Sequence, residues 1–120
     1  MKIKGIKRTF STKNNNQYKT ISSFWDEYCL KYQLEDLIGI GFNWTSSTID
    51  YMIALKDKDI DEYNFELDID KNVNWQTKSG QTKELDKLYN EIYKDGSLTC
   101  EIEYFYNNGL CEIKYTRDDI

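Results

Sequence analysis

The spacing of apolar residues divides the chain into two halves with the same order of periodicities. Residues 2–10 alternate loosely between apolar and polar and predict a strand. Over about 20–35 the apolar residues recur at the i, i+3, i+4 spacing of an amphipathic helix. Alternation resumes over 38–44 and 49–56, separated by a turn at 45–47, and predicts a hairpin. The first half therefore has the predicted order strand, helix, strand, strand.

The second half repeats this order. Alternation over 65–69 predicts a strand, and this strand or its continuation extends to Val73 and Trp75. Residues 79–82 are interpreted as the break before a helix over 82–95, because Gly and Ser favour an interruption there. A hairpin over 98–117 completes the second half.

The two halves are joined by a charged loop at 57–62 and not by a linker of the kind that separates domains. We therefore expect a single domain over residues 1–120. Its expected class is α+β, with a duplicated β-α-β-β order, an antiparallel sheet and both helices on one face of that sheet.

One strand of the first hairpin has two unequal faces. The bulky residues at even positions between 38 and 44 alternate with Gly39, Gly41 and Asn43. The glycine face is nearly bare, and this permits the close approach of another group to the backbone.

Composition narrows the range of functions. The chain has 16 Lys and Arg against 21 Asp and Glu, so that its formal net charge is −5, and it has no clustered basic stripe. This charge argues against direct contact with nucleic acid. Residues 1–5 do not begin the long apolar run of a signal peptide, and no segment approaches the length of a membrane span. We expect a cytoplasmic protein that does not contact the membrane.

Several kinds of catalytic and metal site are disfavoured by the residue types present. The chain has no His, which removes the commonest general base and metal ligand. Its three cysteines, Cys29, Cys100 and Cys111, are odd in number and have no C-x-x-C spacing. They indicate reduced thiols and neither a disulfide framework nor a zinc site. We expect no metal and no cofactor.

The second hairpin contains Glu103 among aromatic residues, and two turns are compatible with its sequence. A two-residue turn at Asn108-Gly109 pairs Glu103 with Lys114 in a solvent-facing ion pair of little energetic value. A three-residue loop at 107–109 with a Gly bulge pairs Glu103 with Ile113 and turns the carboxylate toward the apolar face. A slip of one residue reverses every side chain of a strand, and the local sequence does not choose between the turns.

Five segments in order resemble the GyrI-like small-molecule-binding domain, which is also the effector-binding domain of AraC- and MerR-type regulators. They are IKGIKRT at 3–9, IDYMIA at 49–54, VNWQTKSG at 73–80, IEYFY at 102–106 and CEIKY at 111–115. The resemblance covers nearly the whole chain. Ala54 and Thr116 depart from it, since the family usually has Gly and Pro there. No DNA-binding helix-turn-helix precedes these segments, so that a free-standing version of the domain is expected.

The resemblance implies that lipophilic, often cationic compounds bind in a cleft between sheet and helices, with Glu103 as the acidic residue within it. The resemblance therefore favours the three-residue turn, because only that turn points Glu103 toward the apolar face where the cleft is expected. The expected role is sensing or sequestration of such compounds. The expected ligand-binding residues are Trp25, Phe42, Tyr51, Trp75, Tyr89, Glu103, Phe105 and Tyr115. Each of these aromatic residues could also simply fill the core, but large flat rings suit flat ligands and cation–π contacts.

Two other functions remain open at this point. A small-molecule hydrolase could use Glu103 or Glu101 as a base and Tyr115 or Tyr51 as an acid. The absence of His and of an evident second activating group favours binding over catalysis. A protein-binding inhibitor or adaptor is the third possibility, with a protein as its partner.

Overall fold

The computed structural model describes residues 1–120 and contains one seven-stranded antiparallel sheet and two α-helices. In chain order the elements are β1 (Lys2–Ser11), α1 (Gln17–Cys29), β2 (Leu37–Phe42), β3 (Thr48–Leu55), β4 (Phe65–Asp68), β5 (Gln76–Gln81), α2 (Leu85–Tyr93), β6 (Cys100–Phe105) and β7 (Leu110–Thr116). The predicted α+β class and the antiparallel sheet are confirmed.

The strand order is β4-β1-β3-β2-β6-β7-β5. Strands β5, β6 and β7 of the second half correspond to β1, β2 and β3 of the first half. Without β4, the strand order is therefore palindromic, because corresponding strands lie at equal distances from the centre of the sheet. The duplicated β-α-β-β order is therefore present, with β2 and β6 side by side at its centre. Strand β4 is an addition to this order, paired with the outer edge of β1.

Two boundaries of the second half differ from the prediction. The alternating residues 65–69 do not open the second unit, because they form the added edge strand β4. Residues 79–82, interpreted as a break, lie largely in β5, which opens it. This strand pairs only with β7, and an edge position with few buried side chains tolerates Ser and Gly.

Helix α1 ends at Cys29, about six residues before the predicted end. The chain needs this room to turn back into the sheet, because a short 3₁₀ turn at Leu34–Asp36 leads directly into the fully buried start of β2 at Leu37. Helix α2 is closer to the prediction. Its α-helical residues follow a 3₁₀ turn at Thr82–Glu84, so that helical structure begins at the predicted residue 82.

Both helices lie on one face of the sheet, as predicted. Cross-strand partners share a face, and the register joins Ile53, Gly39, Glu103 and Ile113 in one row. Helix α1 packs Phe24 into the cluster that contains Ile53, and α2 packs its buried side chains into the cluster that contains Ile113.

The opposite face of the sheet carries no helix and is covered by an irregular segment of the chain. The segment after β4 packs its apolar residues against the buried side chains of β2, β3 and β6. The helix-bearing face is thus free to hold a cleft between its two helices.

The second hairpin has the three-residue turn at 107–109. Glu103 pairs with Ile113, and the N–H of Tyr106 donates to the carbonyl of Leu110 at 3.0 Å. Gly109 has φ of +82°, the left-handed conformation that such a turn requires. Glu103 consequently faces the helices.

Gly39 is expected to be intolerant of any side chain. A Cβ there would overlap the hydroxyl of Tyr51 and lie 2.6 Å from the ring of Trp25. We expect Gly39→Ala to lower the free energy of unfolding by about 1–3 kcal/mol, the usual cost of overpacking, as measured by urea denaturation. Gly80→Ala is the control, since its Cβ would meet only the flexible side chain of Leu88 at 3.0 Å. Equal stability of wild type and Gly39→Ala would contradict the packing described.

Candidate functional site

A cleft of about 360 Å³ lies between α1, α2 and the helix-bearing face of the sheet. Its charged lining residues are all acidic, with no Lys or Arg among the 19 residues that line it. The acidic residues are Asp26, Asp86, Glu101 and Glu103. The aromatic residues are Tyr18, Trp25, Trp44, Tyr51, Tyr89, Tyr93 and Phe105. The cleft is therefore both aromatic and uniformly negative in its charged groups.

The floor of the cleft depends on the bare face of β2. Gly39 and Gly41 lie directly opposite Glu103 and Glu101 of β6. A Cβ at Gly41 would lie 2.6 Å from a carboxylate oxygen of Glu101. The groups that approach this bare face are thus side chains of the same chain, and the glycines provide the space that they occupy.

A chain of hydrogen bonds fixes Glu103 at this floor. The indole Nε1–H of Trp25 donates to the hydroxyl of Tyr51 at 2.7 Å, and that hydroxyl donates in turn to Oε1 of Glu103. Tyr51 is fully buried, and burial together with the charge of Glu103 raises the pKa of its phenol. It therefore remains a donor to the carboxylate.

Glu101 is held differently. Its Oε2 is buried and accepts no hydrogen bond of good geometry, and the hydroxyl of Tyr89 is a buried neighbour that acts on this carboxyl group. Burial, reinforced by the negative charge of Glu103, raises the pKa of Glu101 to about 8, although the nearby Tyr89 hydroxyl opposes this shift.

Burial also raises the pKa of Glu103, but the hydrogen bond from Tyr51 favours its ionised form. Of the two carboxyl groups, Glu103 is therefore the better stabilised in its ionised form, and Glu101, with a pKa of about 8, holds its proton more readily.

The cleft brings together five of the eight residues expected from the sequence, namely Trp25, Tyr51, Tyr89, Glu103 and Phe105. Two aromatic pairs stand on its two sides. On the α1 side, Trp25 meets Phe105 edge to face with ring centroids 5.1 Å apart. On the α2 side, Tyr89 stacks on Tyr93 at 5.7 Å.

The other three expected residues do not line the cleft. Phe42 follows Gly41 and so points to the opposite face, where its ring stacks on Phe65. Trp75 precedes β5 and also packs on that opposite face. Tyr115 shares the face of Glu101, but it packs beside the α2 cluster and under the guanidinium of Arg117.

The expected ligand-binding residues did not include Glu101, which was considered only as a base for hydrolysis, or several residues at the mouth of the cleft. The sequence did indicate a place for Glu101 beside Glu103, because it lies two residues earlier in the same strand and therefore on the same face. No sequence pattern indicated that Trp44 lines the cleft. It follows Asn43, whose φ of +56° interrupts the strand alternation, so that Trp44 lies on the cleft side while Phe42 does not.

The structure contains no group of three or more His, Cys, Asp or Glu side chains that could hold a metal ion. All three cysteines are free thiols, with Cys29 exposed and Cys100 and Cys111 buried. Neither α1 nor α2 has the length and apolar composition needed to cross a membrane.

The raised pKa of Glu101 predicts a pH-dependent stability. An unfolded carboxyl ionises near 4.5 and the folded one near 8, so that folding opposes ionisation and stability falls as pH rises between these values. We expect Glu101→Gln to reduce this fall and to raise the free energy of unfolding at pH 8.5, by up to several kcal/mol. Urea denaturation at pH 5 and pH 8.5 measures both effects, with Glu112→Gln, on the opposite face, as a control for net charge. If the free energy of unfolding of Glu101→Gln fell with pH as steeply as that of the wild type, the raised pKa would not belong to Glu101.

The fold is shared with two solved structures. A Staphylococcus aureus MU50 protein assigned to bacterial transcription regulation superposes with a TM-score of 0.65 at 16% identity, covering 97% of this chain and 91% of that one. SAV2435 bound to tetraphenylphosphonium superposes with a TM-score of 0.67 at 15% identity, covering 97% and 87%. The sequence itself matches no protein-family model and no curated protein. At these identities the likeness establishes the fold alone.

Proposed function

We propose that the chain is a GyrI-like effector-binding domain that binds lipophilic cations between α1, α2 and the sheet. The observation that carries this proposal is the charge of the cleft, which has four carboxyl side chains and no basic residue among its aromatic lining. SAV2435, which has the same fold, is bound to the lipophilic cation tetraphenylphosphonium. The role that follows is the sensing or sequestration of such compounds.

The size and lining of the cleft fit a small aromatic ligand. Its volume of about 360 Å³ is within the range of ligand pockets in general, and 12 of its 19 lining residues are hydrophobic. Burial of a ring system between the Trp25–Phe105 pair and the Tyr89–Tyr93 pair supplies apolar contact. Ring faces also attract cations through their quadrupoles.

Selectivity for positive charge comes from Glu103. Its side chain is only 6% exposed and is oriented by Tyr51, so that a bound cation meets a carboxylate already fixed in place. Attraction between unlike charges is strengthened where water is excluded. The net charge of −5 adds a weak, long-range bias toward cations.

We expect Glu103→Gln to weaken binding of tetraphenylphosphonium by about 1–3 kcal/mol, since the change keeps the shape and removes the charge. Glu112→Gln is the matched control, because Glu112 pairs with Tyr104 on the opposite face of the sheet. Tetraphenylborate, with similar shape and the opposite charge, should not bind measurably. Quenching of Trp fluorescence reports these affinities, since Trp25 and Trp44 line the cleft.

Equal affinity of wild type and Glu103→Gln would remove Glu103 from the site. Failure of every cation to bind would favour the adaptor function, and conversion of a bound compound would favour the hydrolase.

Binding of cations should also strengthen with pH. A cation in the cleft stabilises ionised Glu101, whose pKa without ligand is about 8, so that binding at neutral pH displaces a proton. We expect the affinity for tetraphenylphosphonium to rise several-fold between pH 6 and pH 9. Calorimetric titrations in buffers of different ionisation enthalpy would detect the released proton. Glu101→Gln should abolish both the rise and the proton release, and a rise that persists in this variant would contradict the assignment.

A further inference from the structure

A second cavity, of about 330 Å³, lies largely on the face of the sheet that carries no helix, at the end of the sheet where β3 and β6 end. Its charged side chains are five lysines and two aspartates. The lysines are Lys2, Lys4, Lys56, Lys58 and Lys114. They come from β1, from the loop after β3 and from β7, so that only the fold brings them together. A chain with a net charge of −5 thus concentrates positive charge around one cavity.

Most of this positive charge is not balanced within the protein. Lys4 lies 3.5 Å from a carboxylate oxygen of Asp59, and Lys2 lies 3.7 Å from one of Glu66. The other three lysines form no ion pair with any carboxylate. The cavity therefore has an excess of cationic groups that an anion from outside would neutralise.

Two of the unpaired ammonium groups are held in place by aromatic rings. The Nζ of Lys56 lies 5.1 Å from the ring centroid of Tyr106 and 5.7 Å from that of Tyr104, and the Nζ of Lys114 lies 5.7 Å from that of Trp75. Both lysines are half-buried, although a lysine that loses water is usually paired. A ring attracts the ammonium group through its face but accepts none of its three N–H groups as a carboxylate would. These donors are thus positioned and still available.

The inner lining of the cavity is apolar. Ile38, Leu55 and Ile102 belong to the two strands that end here and to β2 between them, and all three are buried. An inorganic anion would leave this surface in contact with water, whereas a ligand with an apolar body would cover it. The small concave site and the negative net charge disfavour an extended polyanion such as a nucleic acid.

We infer that this cavity binds a small amphiphilic anion, an organic carboxylate or sulfonate with an apolar body. The apolar body lies on the three aliphatic side chains, and the acidic group meets the ammonium groups of Lys56, Lys58 and Lys114. This site is separate from the acidic cleft, on the other face of the sheet, and it takes a ligand of the opposite charge.

A matched pair of fluorescent probes tests the inference. Anilinonaphthalenesulfonate is an amphiphilic anion, phenylnaphthylamine has the same rings without the sulfonate, and both become brighter when they leave water. We expect Lys56→Gln and Lys114→Gln each to weaken binding of the sulfonate by about 3- to 10-fold, between the effects of an exposed and a desolvated charge contact. The double variant should weaken it further. The affinity for the neutral probe should be the same in wild type and variants.

The matched control is Lys13→Gln, which removes the same charge from an exposed lysine outside both cavities. It should bind the sulfonate as the wild type does. Sulfonate binding that the double variant leaves unchanged, or that Lys13→Gln weakens equally, would overturn the inference. Should the double variant fail to fold, Lys58→Gln decides in its place, because Lys58 is exposed and contacts no ring that packing depends on.

The two sites are tested independently. Glu103→Gln should leave the affinity for the sulfonate unchanged, and the double lysine variant should leave the affinity for tetraphenylphosphonium unchanged. If the wild type binds the sulfonate and no cation, the proposed function fails and the anion site stands. If it binds tetraphenylphosphonium and not the sulfonate, the anion site is overturned and the proposed function stands.

Discussion

The hydrogen bond from Tyr51 to Glu103 joins two strands that are not neighbours. Tyr51 belongs to β3 and Glu103 to β6, and β2 lies between them in the sheet. The phenol can cross β2 only because Gly39 has no side chain at the crossing point. Trp25 then bonds to the same hydroxyl from above, which fixes α1 over the first half of the sheet. The position of one helix, the floor of the cleft and the orientation of its central carboxylate all follow from this crossing.

The buried carboxyl groups of the cleft are best explained by function, because they oppose folding. Asp50 shows how the same protein stabilises an acidic side chain: although burial raises its pKa, hydrogen bonds from Asn43 and Thr9 lower it overall. Glu101 and Glu103 have no basic neighbour in the cleft, and their pKa values are raised. Groups held in this unfavourable state are concentrated at binding and catalytic sites.

The sequence was sufficient to predict the class of fold, because two periodicities in a repeated order limit how the elements can be layered. It was less informative where a strand has no apolar alternation. Strand β5 is polar and lies at the edge, and its position follows from pairing with β7, which no local pattern shows. For the site, the face of Glu103 depended on the turn at 107–109, and that of Trp44 on the left-handed backbone of Asn43. Residues on the helix surfaces at the mouth could not be predicted, since their place depends on how each helix lies on the sheet.

The palindromic strand order sets a condition on how such a site can arise. Strands β2 and β6 occupy equivalent places in the two halves, yet one contributes Gly39 and Gly41 and the other contributes Glu101 and Glu103. If the two halves were identical, the two central strands would carry the same residues where β2 now pairs with β6. Glycine would then face glycine, with no charge, or glutamate would face glutamate, with no room for the side chains. Only a chain whose halves have diverged can place a charged group at the centre of its own approximate symmetry, and the covalent fusion of the halves guarantees that each always meets its complement.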